Sequence, residues 1–317
     1  MEIVVLGAGI AGLVAASAFS DGNNVVIIDK NLRDDPFSNH SAVLRLRNDK
    51  IKDYLKCKLE PVKVFKQAYY NGSLHSAPNI AMNNIYSRKT RDALGWRSIN
   101  DLGVYERYLI SGIEHDFYTL QGEFVGVEKT DQAFEIIIDR VNPVVPDRIA
   151  KEFVPADICI STIPMPTMLN CLGNYAKAFL ANPIHTATCE IFIKSTVHQT
   201  IYFANLSPVY RATVENNKFT VESMDEICED DVYECIEIFG LSKDNLSKPE
   251  FRTQWLGKIV PIDDIQRRKI MMDLTNKFNI YSFGRYAVWK DLRIDQILED
   301  IEKIKLMVKI KHGNWYG

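Results

Sequence analysis

No apolar run in this 317-residue chain approaches the roughly 20 residues that a membrane-spanning helix needs. The first apolar segment has no basic stretch ahead of it, so no secretory leader is expected and the chain reads as cytoplasmic. Cysteine is sparse and unpatterned: Cys57, Cys159, Cys171, Cys189, Cys228 and Cys235 form no CxxC and no metal-ligand spacing. That argues against a disulfide framework and a zinc site, and no metal is expected. One glycine-rich nucleotide fingerprint is present, at the N-terminus, and there is no second, so a built-in pyridine-nucleotide domain is not expected.

Net charge is only −3, but it is unevenly spread. Residues 45–97 hold twelve Lys/Arg against four Asp/Glu, a balance of +8, whereas residues 222–237 hold eight acids and no base. The basic stretch is a candidate surface for phosphates, and its simpler reading is a solvated face. At 46% hydrophobic residues, the chain can bury the core of one large or two interleaved domains.

Residues 2–6 (EIVVL) read as a buried strand, "GAGIAG" as a tight turn, residues 13–19 as a helix and residues 25–28 as a second strand ending in Asp29. This is a βαβ unit. Gly7 permits the turn, Gly9 lets backbone approach a pyrophosphate and Gly12 lets helix and strand pack closely. The N–H groups of Ile10 and Ala11 at the helix start favour an anion. Asp29, 22 residues after Gly7 and followed by Lys30, is placed to accept hydrogen bonds from a ribose.

The N-terminal "VVLGAGIAGLVAA" resembles the FAD-binding entry of the amine oxidase, protoporphyrinogen oxidase and UDP-galactopyranose mutase group of flavoproteins. "FGRYAVWKDLRIDQILEDI" is similar to that group's closing segment, with Gly284-Arg285 as its Gly-Arg pair and Ile294-Asp295-Gln296 as its helix start. The resemblance implies bound FAD, with Arg285 by the diphosphate and the helix N-terminus at the flavin edge. It further implies that "GEFVGVEKTDQAFEIIID", read as a hairpin, and "ADICISTIPMPTML" complete the FAD sheet, with backbone near Val125 approaching the adenine. The expected fold is therefore α/β: a Rossmann-like FAD-binding domain (residues 1–50, 113–165 and 275–317) interrupted by an α+β substrate domain (51–112 and 166–274).

In the second domain, residues 185–223 alternate polar with β-branched and aromatic residues and predict an antiparallel sheet, followed by an amphipathic helix within 225–239. "PVYRATVE" resembles the Tyr/Thr-Arg-Ile-x-Glu element of the mutase group, which implies that Arg211 lies in the substrate region, with Tyr202 and Tyr210 beside it as substrate-binding candidates. A planar guanidinium suits a carboxylate or phosphate; equally, Arg211 can be a strand arginine paired with Glu215 or Glu222. After the second strand, where the family has a Gly-Gly-Arg-like turn, this chain has "NLRDDPFSNHSAVLRLRND". Chain order brings Ser38, Asn39 and His40 toward the flavin there. His40 is the candidate catalytic base, or a structural histidine. Arg45 and Arg47, alternating with Leu44 and Leu46 on one strand face, are candidate substrate contacts.

Together, "NHSAVLRLRN", "APNIAMNNIYSRK", "QTIYFANLSPVYRAT" and "GRYAVWK" resemble a compact branch of bacteriophage flavoproteins. Its members include flavin-dependent lyases that trim amino acids attached to thymine in viral DNA. This implies a flavoenzyme of the host cytoplasm that oxidises a C–N bond, with the imine hydrolysing to an aminomethyl base and a keto acid, and with molecular oxygen as acceptor. Tyr54, Tyr69, Tyr70, Tyr86 and Trp96 among the basic residues would suit a base taken out of the DNA stack, or are core residues. The alternative is a mutase-like flavoenzyme acting on a nucleotide sugar, and a third is an FAD-stabilised binding protein.

Overall fold

The computed structural model describes residues 1–31, 42–91, 99, 101–129, 134–141, 149–174, 179–194, 196–205 and 208–313. The chain divides into two compact units. Met1–Leu59, Ile110–Phe179 and Pro261–Gly317 form the first, and Glu60–Leu109 with Leu180–Val260 the second.

The first unit is built on a five-stranded parallel sheet. Its strands are β1 (Glu2–Leu6), β2 (Asn24–Asp29), β7 (Tyr118–Gln121), β11 (Ile158–Ser161) and β17 (Ile280–Ser282), in the order β17-β11-β1-β2-β7. Ile3, Val4, Val5 and Leu6 are all buried, as a central strand covered on both faces requires. Helix α1 (Ile10–Phe19) has almost no polar side because it is covered twice: by the sheet, and by α6 (Ile294–His312) through Leu13, Val14, Leu298 and Ile301. The order runs outward from β1 in both directions, so the crevice at the carboxyl ends of β1 and β11 is the switch point where open α/β sheets bind ligands.

The hairpin expected to complete this sheet does not join it. Strands β8 (Glu123–Lys129), β9 (Phe134–Val141) and β10 (Ile149–Pro155) form their own antiparallel sheet, because both edges of β9 are taken by its sequence neighbours. Val125 lies where the β8–β9 register shifts between Phe124 and Gly126. Of the two segments, only "ICIS" of β11 enters the parallel sheet.

The second unit carries a sheet in the order β16-β12-β15-β14-β13-β4-β6. Its members are β4 (Lys56–Tyr70), β6 (Gly103–Glu114), β12 (Ala181–Glu190), β13 (His198–Phe203), β14 (Val209–Glu215), β15 (Lys218–Ser223) and β16 (Glu250–Ile259). The antiparallel expectation for residues 185–223 holds for β12–β15, β14–β15 and β13–β14, while β13 runs parallel to β4. One face packs Ile201, Phe203, Phe219 and Val221 against Val232, Cys235 and Ile236 of α4 (Glu229–Ile238). The other packs Ile184, Tyr202 and Tyr210 against Met82 and Tyr86 of α2 (Ile80–Lys89). Helix α4 starts at Glu229 because the Asp231 carboxylate caps the Cys228 N–H at 2.8 Å.

Unit boundaries differ from those expected at four places: residues 51–59, 110–112, 166–179 and 261–274 group with the first unit. Ile51, Leu55 and Ile110 belong to the core under α1. Helix α3 (Met165–Cys171) follows directly on β11, and α5 (Asp264–Phe278) packs on β17. Arg45 and Arg47 are not on a strand, since β3 spans only Val43–Leu44.

Candidate functional site

The three glycines after β1 do different things. Gly7 has φ +101°, a value L side chains rarely adopt, and a Cβ there would collide with Thr162 Oγ1. Thr162, the first residue after β11, spends that hydroxyl on the Leu6 carbonyl at 2.7 Å. A Cβ on Gly12 would overlap the Gly7 carbonyl oxygen, so helix and turn touch because that position has no side chain. Gly9 is unlike both. Its backbone is extended (φ −74°, ψ 179°), and among the described residues nothing beyond its chain neighbours and the backbone of its own helix turn lies within 4 Å of where its Cβ would stand. It caps α1 without a side-chain acceptor, and no acid follows in the first turn, so the first helical N–H groups stay available to an anion.

Asp29 lies at this turn. Its Oδ2 accepts the Ala8 N–H at 2.7 Å and its Oδ1 the Asn31 N–H at 2.8 Å, leaving further lone pairs on each oxygen. Lys30 points elsewhere, into a surface pair with Glu123 at 2.7 Å.

The closing segment meets the same turn. Gly284 has φ +87°, and a Cβ there would come within 2.8 Å of the Ala11 side chain, so the chain after β17 passes against the first turn of α1. Arg285 follows with Nη2 3.3 Å from Asp291 and a buried Nε that has no hydrogen-bond partner. Buried groups pin this segment. Arg267, 7% exposed, donates to the Val288 carbonyl at 3.2 Å, the Met165 N–H donates to the Tyr286 carbonyl at 3.0 Å, and Trp289 sits edge-on to Phe179 at 5.5 Å. Helix α6 then begins at Ile294, with Asp295 buried in its first turn.

In the second unit, Arg211 is bonded through Nε to Glu222, the simpler of the two partnerships the sequence offered. Tyr210 donates to the other Glu222 oxygen at 3.3 Å, and the Tyr86 hydroxyl is buried with no partner. Burial would push the Glu222 carboxyl up, but the adjacent Arg211 guanidinium holds it below its ordinary value. The same burial raises the phenols of Tyr86, Tyr202 and Tyr210. Tyr202 and Tyr210 are 4% and 1% exposed, so they act as packing and support for this pair in the structure described. Tyr86 is likewise core, and Tyr54 bonds Glu302 at 2.8 Å. His40, Ser38, Asn39 and Trp96 lie outside the described residues. Among the described residues no group of three His, Cys, Asp or Glu could hold a metal, and no helix is long and apolar enough to cross a membrane.

Thr162 and Glu222 were not singled out as site residues from sequence. Thr162 carried a signal, as the residue that ends a strand beside the glycine turn. Glu222 was named from sequence only as one of two possible partners of Arg211, and the β14–β15 register, with Arg211 opposite Glu222, selects it.

No protein-family model matches the chain, and no curated protein matches it. Solved structures do. An oxidoreductase from Methanosarcina mazei is 8% identical with a TM-score of 0.53, over 96% of this chain and 100% of that one. The p-nitrophenol 4-monooxygenase of Pseudomonas putida is 12% identical with a TM-score of 0.54, over 97% and 79%. The glycerol-3-phosphate dehydrogenase of Bacillus halodurans, solved with FAD, is 10% identical with a TM-score of 0.52, over 99% and 65%. At such identity the likeness is one of fold. The chain has the α/β fold, with a Rossmann-like parallel sheet, that these oxidoreductases share, one of them solved with FAD.

Proposed function

We propose that the chain is an FAD-dependent oxidoreductase that oxidises a C–N bond in an amine carried on a polyanion, namely an amino acid attached to thymine in DNA. One observation carries the cofactor: at Gly9, unlike Gly7 and Gly12, a Cβ would meet no neighbouring atom among the described residues. In this reading the N–H groups of Ile10, Ala11 and Gly12 hold the pyrophosphate while Gly7 and Gly12 keep the turn closed around it. Asp29 takes the ribose, and Gly284 and Arg285 approach the diphosphate. The start of α6 at Ile294 presents N–H groups to an electron-rich edge. FAD, when bound, supplies the two-electron acceptor.

The substrate reading rests on the resemblance of the quoted segments to phage flavoproteins and on charge. In the first unit Arg45, Arg47, Lys50, Lys52, Lys56 and Lys58 are all exposed, which suits phosphate contacts. In the second, Arg211, fixed through Nε by Glu222, is the cation offered to a substrate anion.

The test offers oxidised enzyme, without oxygen, DNA bearing the amino-acid-modified thymine, and offers pre-reduced enzyme UDP-galactopyranose. Bleaching of the flavin by the DNA, with release of a keto acid, is expected. Turnover of the sugar by reduced enzyme, with no product from DNA, would replace the amine reading with the mutase one.

A further inference from the structure

Asp295 is 9% exposed and stands second in the 19-residue helix α6, yet its side chain is turned toward its own chain. Oδ1 accepts the backbone N–H of Arg47, 248 residues away, at 3.1 Å. Oδ2 is buried without a hydrogen-bond partner, 4.0 Å from Arg47 Nε. The Arg47 side chain is 65% exposed, so at this distance the ion pair adds little, and the backbone bond is the substantial contact. The segment it reaches is fastened at its other end too: the Ala42 carbonyl accepts the Ile110 N–H at 3.0 Å, and Leu44 and Leu46 pack on the core shared with α1 and α6.

We infer that Asp295 is a positioning residue, a tether that fixes residues 42–47 to the first turn of α6 and so steadies the helix start that faces the flavin in the reading above. This rests on the FAD reading above. It differs from a direct cofactor contact: what matters is an acceptor atom at Oδ1, supplied equally by an amide, and the carboxylate charge is dispensable. A helix-end charge would act the other way, since an acid in the first turn stabilises through its charge.

Two variants of similar volume separate the possibilities in the full chain. Asp295→Asn keeps the acceptor and should bind FAD within about twofold of wild type, with an unchanged visible flavin spectrum. Asp295→Leu removes it and should weaken FAD binding about tenfold or more, with a shifted flavin spectrum. Hydrogen exchange at the Arg47 amide, measured without added FAD, reports the tether itself: slow in wild type and Asp295→Asn, fast in Asp295→Leu. Wild-type affinity and spectrum in Asp295→Leu would overturn the proposal, as would equal loss in both variants, or rapid Arg47 exchange in wild type. If wild type takes up no FAD while Arg47 is protected, the cofactor reading fails and the positioning role fails with it, leaving a tether that only supports the fold. If Asp295→Leu does not fold, the outcome rests on Asp295→Asn and on Arg47 exchange in wild type.

Discussion

Gly9 and Gly12 sit three residues apart, yet a methyl group on each is predicted to have opposite consequences. At Gly9 the backbone conformation suits any residue, and among the described residues nothing beyond its chain neighbours and its own helix turn lies within 4 Å of the new Cβ. Gly9→Ala should therefore leave the cofactor-free protein as stable as wild type, or more stable by about 0.4–1 kcal/mol, because the unfolded chain loses freedom. At Gly12 the methyl would overlap the Gly7 carbonyl oxygen, and Gly12→Ala should cost about 1–3 kcal/mol from forced displacement of the helix. FAD reverses the comparison for Gly9. A ligand at a hundred times its Kd stabilises the protein that binds it by about 2.7 kcal/mol. Wild type should gain that in denaturant melts with FAD, and Gly9→Ala should gain little or nothing, since its Cβ fills the space where pyrophosphate meets backbone. The larger Gly9→Val should lose FAD altogether. The reasoning is refuted if Gly9→Val purifies with stoichiometric FAD, or if Gly9→Ala unfolds in the absence of any cofactor.

Further outcomes follow from the same contacts. Arg285→Ala should weaken FAD binding and spare the fold, whereas Arg211→Ala should leave FAD bound but destabilise the protein by about 3–5 kcal/mol, because it strands the Glu222 carboxylate; flavin absorbance and urea melts separate the two, and equal flavin loss in both would be contrary. Glu222 titrates below its ordinary 4.5 in the folded state, so its contribution is present above that value and is lost as pH falls through the lower, folded one; Glu222→Gln should flatten the acid limb of a stability–pH curve. Lys89, lowered by burial from 10.5 to about 8, gives a slope of the same sign in a higher window, since the unfolded chain binds more protons between those values, but here the cause is burial, which destabilises the charged form. Stability should rise with pH across that window, and Lys89→Met, which loses a 3.1 Å bond to the Phe203 carbonyl, should abolish the rise.

Much of the first unit was legible because its signals are local. The β1–turn–α1–β2 order and the close contacts at Gly7 and Gly12 depend on residues whose spacing is dictated by backbone geometry, whereas the approach of the closing segment at Gly284 was implied by the family resemblance. Pairing choices were not legible. The 123–141 hairpin offered the same alternating pattern whether it joined the parallel sheet or formed its own, and the strand after Ile149 decided the matter. Arg45 and Arg47 alternate with leucines as a strand would, yet β3 ends at Leu44, and the Arg47 backbone bonds a helix instead of a strand. Arg211 shows the same limit from another side: a guanidinium beside acids in sequence can serve a substrate or a partner, and only the β14–β15 register reveals Glu222 across from it. Tyr202 and Tyr210 alternate along strands whose two faces are both covered, so alternation alone gave no exposed face.

The central claim is that the turn from Gly7 to Gly12 holds FAD. Its most direct test is the visible spectrum of the purified full chain, recorded as isolated and after incubation with FAD and removal of the excess. One equivalent of protein-bound flavin per chain, lost in Gly9→Val, is the predicted result. A correctly folded wild-type chain that remains colourless after reconstitution would contradict the account.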